Sequence, residues 1–250
     1  MTNVAKIMGI PFPKLTLDQS LQVVSETIEQ EKSELFHVIT VNPEIVMACQ
    51  HDQQLRSIVD EAGLITADGI GIVMVSRVKG GNLPERVTGF DLLIKLLERG
   101  NHKKWSFYLL GADEPTSRKA AEVINQTYPN VSIVGRQNGF FKQEDESKIV
   151  EEIRSVAPDI LVVALGAPYA ERWIHKYKDS LNASMAMGVG GSLDVIAGKV
   201  KRAPVIWQKM HVEWLYRLIS QPSRWKRQLI LPRFAVKALL YKEGSAERRR

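Results

Sequence analysis

Short apolar segments rich in Val, Ile and Leu alternate with amphipathic segments from residue 5 to about residue 198. The apolar segments predict strands at 5–10, 35–41, 64–67, 106–111, 131–135, 160–166 and 184–189. Helical periodicity predicts helices at 17–30, 89–99, 115–128, 144–156 and 170–177, with another opening at Pro43. Strands that alternate with helices at these lengths form largely parallel sheets covered on both faces. The sequence therefore predicts an α/β fold of this kind.

The alternation stops near Lys199, and the last part of the chain shows no strand pattern. Two helical segments are predicted there, at 205–220 and 223–241, with Pro222 and Pro232 as interruptions. We therefore expect an α/β domain over residues 1–198 and a helical appendage over residues 199–250.

Charge divides at the same boundary. Residues 199–250 carry fourteen Lys and Arg against three Glu, a net charge of +11, whereas residues 1–198 carry −5. Large apolar and Trp residues interleave with the basic ones, as in amphipathic helices that lie in a membrane interface. The appendage is therefore predicted to meet an anionic membrane surface. Packing of its helices on the domain, or in a homo-oligomer in solution, stays open as the alternative.

Several other partners and compartments are disfavoured by the composition. The aliphatic residues of the appendage exceed what phosphate contacts need, and the chain lacks a nucleic-acid-binding motif, so nucleic acid is not expected. No run of about 18 apolar residues could span a bilayer, and the first 15 residues do not resemble a signal peptide. The single cysteine, Cys49, favours a reducing compartment.

Polar residues follow the ends of two predicted strands, where ligands bind in open α/β sheets. Thr40 and Asn42 stand where a strand gives way to a helix N-terminus, a place that favours phosphate. Asp68 follows a buried strand and precedes two glycines, so it could serve as a general base toward a sugar hydroxyl. Helix capping by Asn42 and a turn at Asp68 are the structural alternatives.

Two further loops follow strands. Gly188, Gly190 and Gly191 would let a ligand approach the backbone closely, and Asp194 could bind a ribose hydroxyl. The glycine spacing is not the dinucleotide fingerprint, and a tight turn is the structural alternative. The loop at 166–173 also follows a predicted strand and is a further candidate for a ligand contact, and the start of a helix is its structural alternative. No metal-ligand spacing or nucleophile elbow is present, so neither a metal nor a cofactor is predicted.

Seven motifs in a fixed order resemble those of the WecG/TagA/CpsF glycosyltransferases, and the resemblance covers nearly the whole chain. They are TVNPE at 40–44, ADGIG at 67–71, RVTGFD at 86–91, GVGG at 188–191, RAP at 202–204, EWLYRL at 213–218 and PSRWKR at 222–227. The resemblance implies a Rossmann-like core and a C-terminal appendage that closes over the active site at the membrane.

The activity implied by the resemblance is an inverting, metal-independent transfer from a UDP-sugar to undecaprenyl-diphosphate-linked N-acetylglucosamine. The chain is most similar to the branch that places N-acetylmannosamine on the 4-hydroxyl of that acceptor, in the linkage unit of wall teichoic acid. Such an enzyme would be cytoplasmic and peripheral on the inner face of the cell membrane. Two alternatives remain: another donor, UDP-glucose or UDP-N-acetylmannosaminuronate, or a non-catalytic membrane-associated nucleotide-binding module.

The resemblance also assigns roles to residues in the core. Asp68 is the candidate base, Thr40 and Asn42 would hold the donor sugar or its phosphates, and Arg86 would steady substrate near the reacting centre. The glycine loop 188–191 and Asp194 would cradle the uridine.

In the appendage, Arg217, Arg224 and Arg227 would bring positive charge to the diphosphate, as arginine can do without a metal. One departure from the family pattern stands out: Ala170 occupies the position where the family usually has Gln, so one polar contact to substrate is absent.

Overall fold

A computed structural model of the chain describes residues 4–30, 34–204, 206–207, 213–220, 225 and 229–243, without the side chains of 217 and 220. Its strands are β1 (Val4–Ile7), β2 (Ile10–Pro13), β3 (Phe36–Val41), β4 (Leu64–Ala67), β5 (Ser106–Gly111), β6 (Ser132–Gln137), β7 (Ile160–Ala164) and β8 (Met185–Gly188).

The helices of the same described residues are α1 (Leu17–Glu29), α2 (Pro43–Ala48), α3 (Gln53–Asp60), α4 (Ile70–Val78), α5 (Gly89–Lys103), α6 (Glu114–Thr127), α7 (Glu146–Val156), α8 (Tyr169–Tyr177), α9 (Ser192–Ile196), α10 (Glu213–Ser220) and α11 (Ile230–Leu240). A 3-10 turn, Gln143–Asp145, precedes α7.

Six parallel strands form the central sheet in the order β4–β3–β8–β7–β5–β6. Most of their residues are buried, as expected for a parallel sheet with helices on both faces. The predicted α/β class and the parallel sheet are confirmed. All six strands begin and end within two residues of their predicted bounds.

The prediction of one strand at 5–10 is wrong. The segment turns at Met8 and Gly9, which both have positive φ, and it forms the antiparallel hairpin β1–β2. Gly9 adopts that conformation readily because it lacks a Cβ. The sequence analysis did not predict the helices α3 and α4.

The side chains of successive strand residues point to opposite faces of the sheet. On one face, Val38 and Met187 pack with α1, α5, α6 and α9. On the other face, Ile39 and Val41 pack with α2, α3 and α4, while Leu161 and Ala186 pack with α7 and α8. The core is therefore two layers, one on each side of the sheet.

The final helix of the described chain packs on the second face. Phe234 and Ala238 of α11 are buried among residues of α2 and α4. Both α10 and α11 fall within the helical segments predicted for the appendage. Among the described residues, no helix combines the length and apolar character needed to cross a bilayer.

Candidate functional site

The sheet has a topological switch point between the carboxyl ends of β3 and β8, and we call this position the crevice. These strands are neighbours in the sheet, but α2, which follows β3, packs on one face and α9, which follows β8, packs on the other. Chains that leave adjacent parallel strands in opposite directions create the position where ligands bind in open α/β sheets. The residues that follow β3, β4 and β8 are therefore the first candidates for substrate contacts.

Thr40 and Gly188 meet at this crevice. A methyl group added to Gly89, the first residue of α5, would lie 3.1 Å from Thr40 Oγ1 and 3.6 Å from the Gly188 carbonyl oxygen. A glycine at this position thus lets α5 approach the ends of both strands. Two residues predicted separately from sequence lie against one helix N-terminus.

Asn42 caps α2, which is the structural alternative weighed from sequence. Its side-chain oxygen accepts a hydrogen bond from the Ile45 N–H at 3.0 Å, and Pro43 occupies the first helical turn. Capping fixes the amide at the mouth of the crevice without excluding a substrate contact, because an amide also carries two N–H donors.

Asp68 is held beside the end of β3. It lies directly after β4 and is half-buried, and its backbone N–H donates to the Val41 carbonyl at 2.9 Å. Gly69 has φ +152°, and a methyl group there would lie 3.0 Å from Pro43 Cδ. Only glycine suits that φ, so the loop that carries the carboxylate is specified by sequence. The structure brings the candidate base next to the Thr40–Asn42 strand end.

Arg86 reaches the same edge of the sheet. The Val87 N–H donates to the Ala67 carbonyl at 3.0 Å, so the segment before α5 runs along the end of β4. The Arg86 guanidinium pairs with the Glu213 carboxylate of α10, with 3.0 Å between Nη2 and Oε2. A residue predicted to steady substrate is therefore in contact with the appendage.

The glycine loop after β8 is buried at its first residue and exposed to solvent at its last two. Gly190 has φ +53°, and both Gly190 and Gly191 are exposed, whereas Gly188 is buried. Asp194 lies in the first turn of α9, and its Oδ1 is 3.6 Å from Lys199 Nζ. That lysine also pairs with Asp113, the N-cap of α6, so the Asp194 carboxylate already has a cationic neighbour.

The three arginines expected at the diphosphate are not placed by the structure. Arg224 and Arg227 lie outside the described residues, and so does the Arg217 side chain. Their assignment stays a prediction.

Glu171 is a residue that sequence reasoning did not single out. It lies in the first turn of α8 and is 3% exposed, and within the described chain its Oε2 has no hydrogen-bond partner. Burial raises the pKa of this carboxyl to about 7, partly offset by a hydrogen bond from its own backbone N–H. A methyl group on Gly188 would lie 2.7 Å from Glu171 Oε1, so the carboxyl packs directly behind the glycine loop. The only signal in the sequence was its place in the loop 166–173.

Ala170 lies beside that contact. It is fully buried against Gly188, with its Cβ 3.3 Å from a methyl group placed there. The small side chain therefore fills a packed position behind the crevice.

Arg202 belongs to the RAP motif at 202–204, and it pairs with Asp91 at 2.7 Å. Its guanidinium lies 4.6 Å from the centroid of the Phe90 ring. This contact ties the start of the appendage to the first turn of α5.

Comparisons with known proteins show the family of this chain. The family model described as "Glycosyl transferase WecG/TagA/CpsF family" matches residues 5–248. The chain is 35% identical over 222 residues to an N-acetylglucosaminyldiphosphoundecaprenol N-acetyl-beta-D-mannosaminyltransferase of Bacillus spizizenii, covering 89% of this chain and 86% of the relative. A protein of the same name from Bacillus subtilis is 38% identical over 202 residues, covering 81% and 78%. One from Staphylococcus aureus is 32% identical over 250 residues, covering 99% and 96%.

Proposed function

The chain belongs to the WecG/TagA/CpsF glycosyltransferase family. From that membership and from the crevice, we propose that it transfers N-acetylmannosamine from UDP-N-acetylmannosamine to a lipid-linked acceptor. The acceptor is the 4-hydroxyl of N-acetylglucosamine in undecaprenyl-diphosphate-N-acetylglucosamine, a step in the linkage unit of wall teichoic acid. The relatives carry this activity in their names, and they align over most of the chain. The reaction is that of a hexosyltransferase.

The observation that carries the proposal is the grouping of Asp68, Thr40 and Gly188 at the ends of three neighbouring strands. Asp68 follows β4 and its backbone is hydrogen-bonded to the end of β3, while Thr40 and Gly188 lie at the ends of β3 and β8, against the start of α5. A single displacement at a sugar carbon needs one base and a place for the nucleotide, and these residues supply both.

The proposed chemistry is an inverting displacement. Asp68 removes the proton of the acceptor 4-hydroxyl while that oxygen attacks the anomeric carbon of the donor. The bond from that carbon to the diphosphate oxygen breaks on the opposite side, and UDP leaves with the electron pair. Thr40 and Asn42 hold the donor sugar or its phosphates, whereas the loop 188–191 and Asp194 hold the uridine. No metal is required.

Charge that builds on the leaving diphosphate must be offset by fixed cations. Arg86 lies beside the Asp68 loop, and Arg217, Arg224 and Arg227 belong to the appendage. We assign residues 1–198 to the catalytic domain and residues 199–250 to an appendage that closes over it. Pairing between Arg86 and Glu213 supports closure of the appendage over the catalytic domain, because it joins α10 to the edge of the crevice.

The membrane partner is proposed from the surface of the appendage. Ile206, Trp214, Ile219, Trp225 and Leu240 are exposed apolar side chains in a segment with a net charge of +11. Such a surface suits the headgroup region of an anionic bilayer. The enzyme would be peripheral on the inner face of the cell membrane, and the same surface could form a homo-oligomer in its absence.

The decisive experiment offers the purified protein a lipid-diphosphate N-acetylglucosamine acceptor with a panel of UDP-sugars, and identifies the product by mass. We expect transfer from UDP-N-acetylmannosamine. Transfer only from UDP-glucose or UDP-N-acetylmannosaminuronate would select the alternative donor, and failure with every donor would leave only a nucleotide-binding module.

The role of Asp68 is tested by Asp68→Asn. Loss of the base should lower kcat by about a hundredfold to ten-thousandfold, because the amide cannot accept the proton. UDP affinity should stay unchanged, since the amide keeps the size of the carboxylate. Asp179→Asn is the matched control, because Asp179 is an exposed aspartate just before β8, at the opposite end of the sheet. Retained turnover in the Asp68 variant would remove this residue from its role.

A further inference from the structure

An ion pair lies at each end of the helical part of the appendage. At the start of α10, Glu213 pairs with Arg86. Just beyond α11, Glu243 pairs with Lys79 of the core at 3.1 Å and accepts hydrogen bonds from the Met8 and Gly9 N–H groups, both at 2.9 Å. The first contact adjoins the crevice, while the second lies at the β1–β2 hairpin.

The Glu213 carboxylate is unusual for its segment. It is one of three acidic residues among fourteen basic ones in the appendage, and its side chain is only 6% exposed. Burial of a charge is unfavourable unless a partner of opposite charge is fixed beside it. The Arg86 side chain, 20% exposed, supplies such a charge.

The position of Arg86 links this pair to the reacting centre. Its neighbour Val87 is hydrogen-bonded to Ala67, and Asp68 follows directly. Glu213 can therefore reach the guanidinium only while α10 lies over the carboxyl end of β4. The contact uses one nitrogen of a group with five N–H donors, so pairing does not exhaust the guanidinium.

We propose that Glu213 is a positioning residue for Arg86. When the appendage closes, the carboxylate fixes the guanidinium in the orientation that meets the donor diphosphate, so lid closure and completion of the site become one event. This inference rests on the proposed function for its kinetic consequence, but the contact itself can be tested without turnover.

The kinetic test compares Glu213→Gln with wild type. Misplacement of a charged group near the reacting atoms should lower kcat by up to about a hundredfold, with a smaller change in the KM for the UDP-sugar. In an Arg86→Ala background, the same substitution should have no further effect, because it acts through Arg86. Effects that multiply in the double variant would overturn the proposal, as would an unchanged kcat in the single variant.

Glu243→Gln is the matched control, since it loosens the other end of the same appendage without touching Arg86. Any loss it causes should multiply with that of Arg86→Ala. If it too shows no further effect in that background, the coupling belongs to the appendage as a whole and the specific role of Glu213 is refuted. Glu213→Met, which keeps the side-chain length without a buried polar group, repeats the test should the Gln variant unfold.

Hydrogen–deuterium exchange of the full-length protein provides the readout that does not depend on activity. Glu213→Gln should raise deuterium uptake in a peptide that contains residues 84–88, whereas Glu243→Gln should raise it around residues 8–9. No change at 84–88 would overturn the contact. If wild type transfers no sugar but this pattern appears, the proposed function fails while the contact between Glu213 and Arg86 stands.

Discussion

At the scale of single residues, the buried carboxyl of Glu171 is the least expected feature of the crevice. Its surroundings are apolar, and it packs behind Gly188. A charged carboxylate in such surroundings is disfavoured, which is why its pKa rises to about 7. The folded protein therefore holds a proton on Glu171 at pH values where the unfolded chain has lost it.

This difference predicts a pH-dependent stability. Between the ordinary glutamate pKa of 4.5 and the folded pKa of about 7, the folded state binds more protons than the unfolded state, so Glu171 makes stability fall as pH rises. Glu171→Gln removes this contribution. The free energy of unfolding of the variant, relative to wild type, should rise by about 3 kcal/mol between about pH 4 and about pH 8. Urea unfolding at a series of pH values measures the change, and parallel pH profiles would contradict it.

At the scale of elements, the contact of α11 with α2 and α4 decides how firmly the appendage is held. Phe234 is 1% exposed, and its ring lies 3.7 Å from a methyl group placed on Gly71, at the start of α4. Lys79 adds polar contacts at the end of this helix, since its ammonium group donates to the Ala238 and Tyr241 carbonyls. The helix α11 is thus attached by an apolar contact in its middle and by hydrogen bonds at its end.

The apolar attachment predicts the effect of Phe234→Ala. Removal of a buried phenyl ring should destabilise the packing of α11 by about 3–5 kcal/mol, because a cavity remains between α11 and α4. Trypsin should then cleave near Arg233 and Lys237 at a concentration that leaves wild type intact. Val236→Ala is the control on the same helix, since Val236 is 58% exposed and its loss should change neither stability nor cleavage. Equal protease resistance of both variants would show that Phe234 does not hold the helix.

The elements also show what local patterns can and cannot predict. Thr16 and Gln19 form a capping box at α1, and Asp113 caps α6, so helices with such signals were found within one or two residues. The segment at 5–10 was assigned a single strand. The turn at Met8 and Gly9 is accompanied by contacts with α4 and Glu243 that no local pattern contains.

At the scale of the whole molecule, exposed apolar side chains and positive charge coincide in the appendage. The core domain carries the opposite net charge, −5. A protein of this kind should approach an anionic surface with its appendage first, because the field of the core opposes any other orientation.

Vesicle sedimentation tests this orientation. The protein should bind vesicles that contain anionic lipid and lose binding as salt rises, since screening weakens the attraction of each basic residue. Trp214→Ala with Leu240→Ala should weaken binding by about tenfold or more, because apolar area no longer enters the interface. Phe140→Ala is the control, as Phe140 is an exposed aromatic outside the appendage. Binding that is indifferent to lipid charge, salt and these substitutions would count against the proposed membrane partner.

The amino-acid sequence was enough to predict the α/β class, the parallel sheet, the limits of most elements and the strand-end positions of Thr40, Asp68 and Gly188, and it shows the change of pattern near residue 198. These properties follow from periodicity, capping and composition, which are local. Long-range packing sets the pairing of β3 with β8, the opposite faces of α2 and α9, and the burial of Glu171 with no hydrogen-bond partner for its Oε2 among the described residues. The same holds for the pairing of Arg86 with Glu213. Each of these depends on residues far apart in the chain, and their proximity is set by the packing of the complete sheet and its helices rather than by any segment alone.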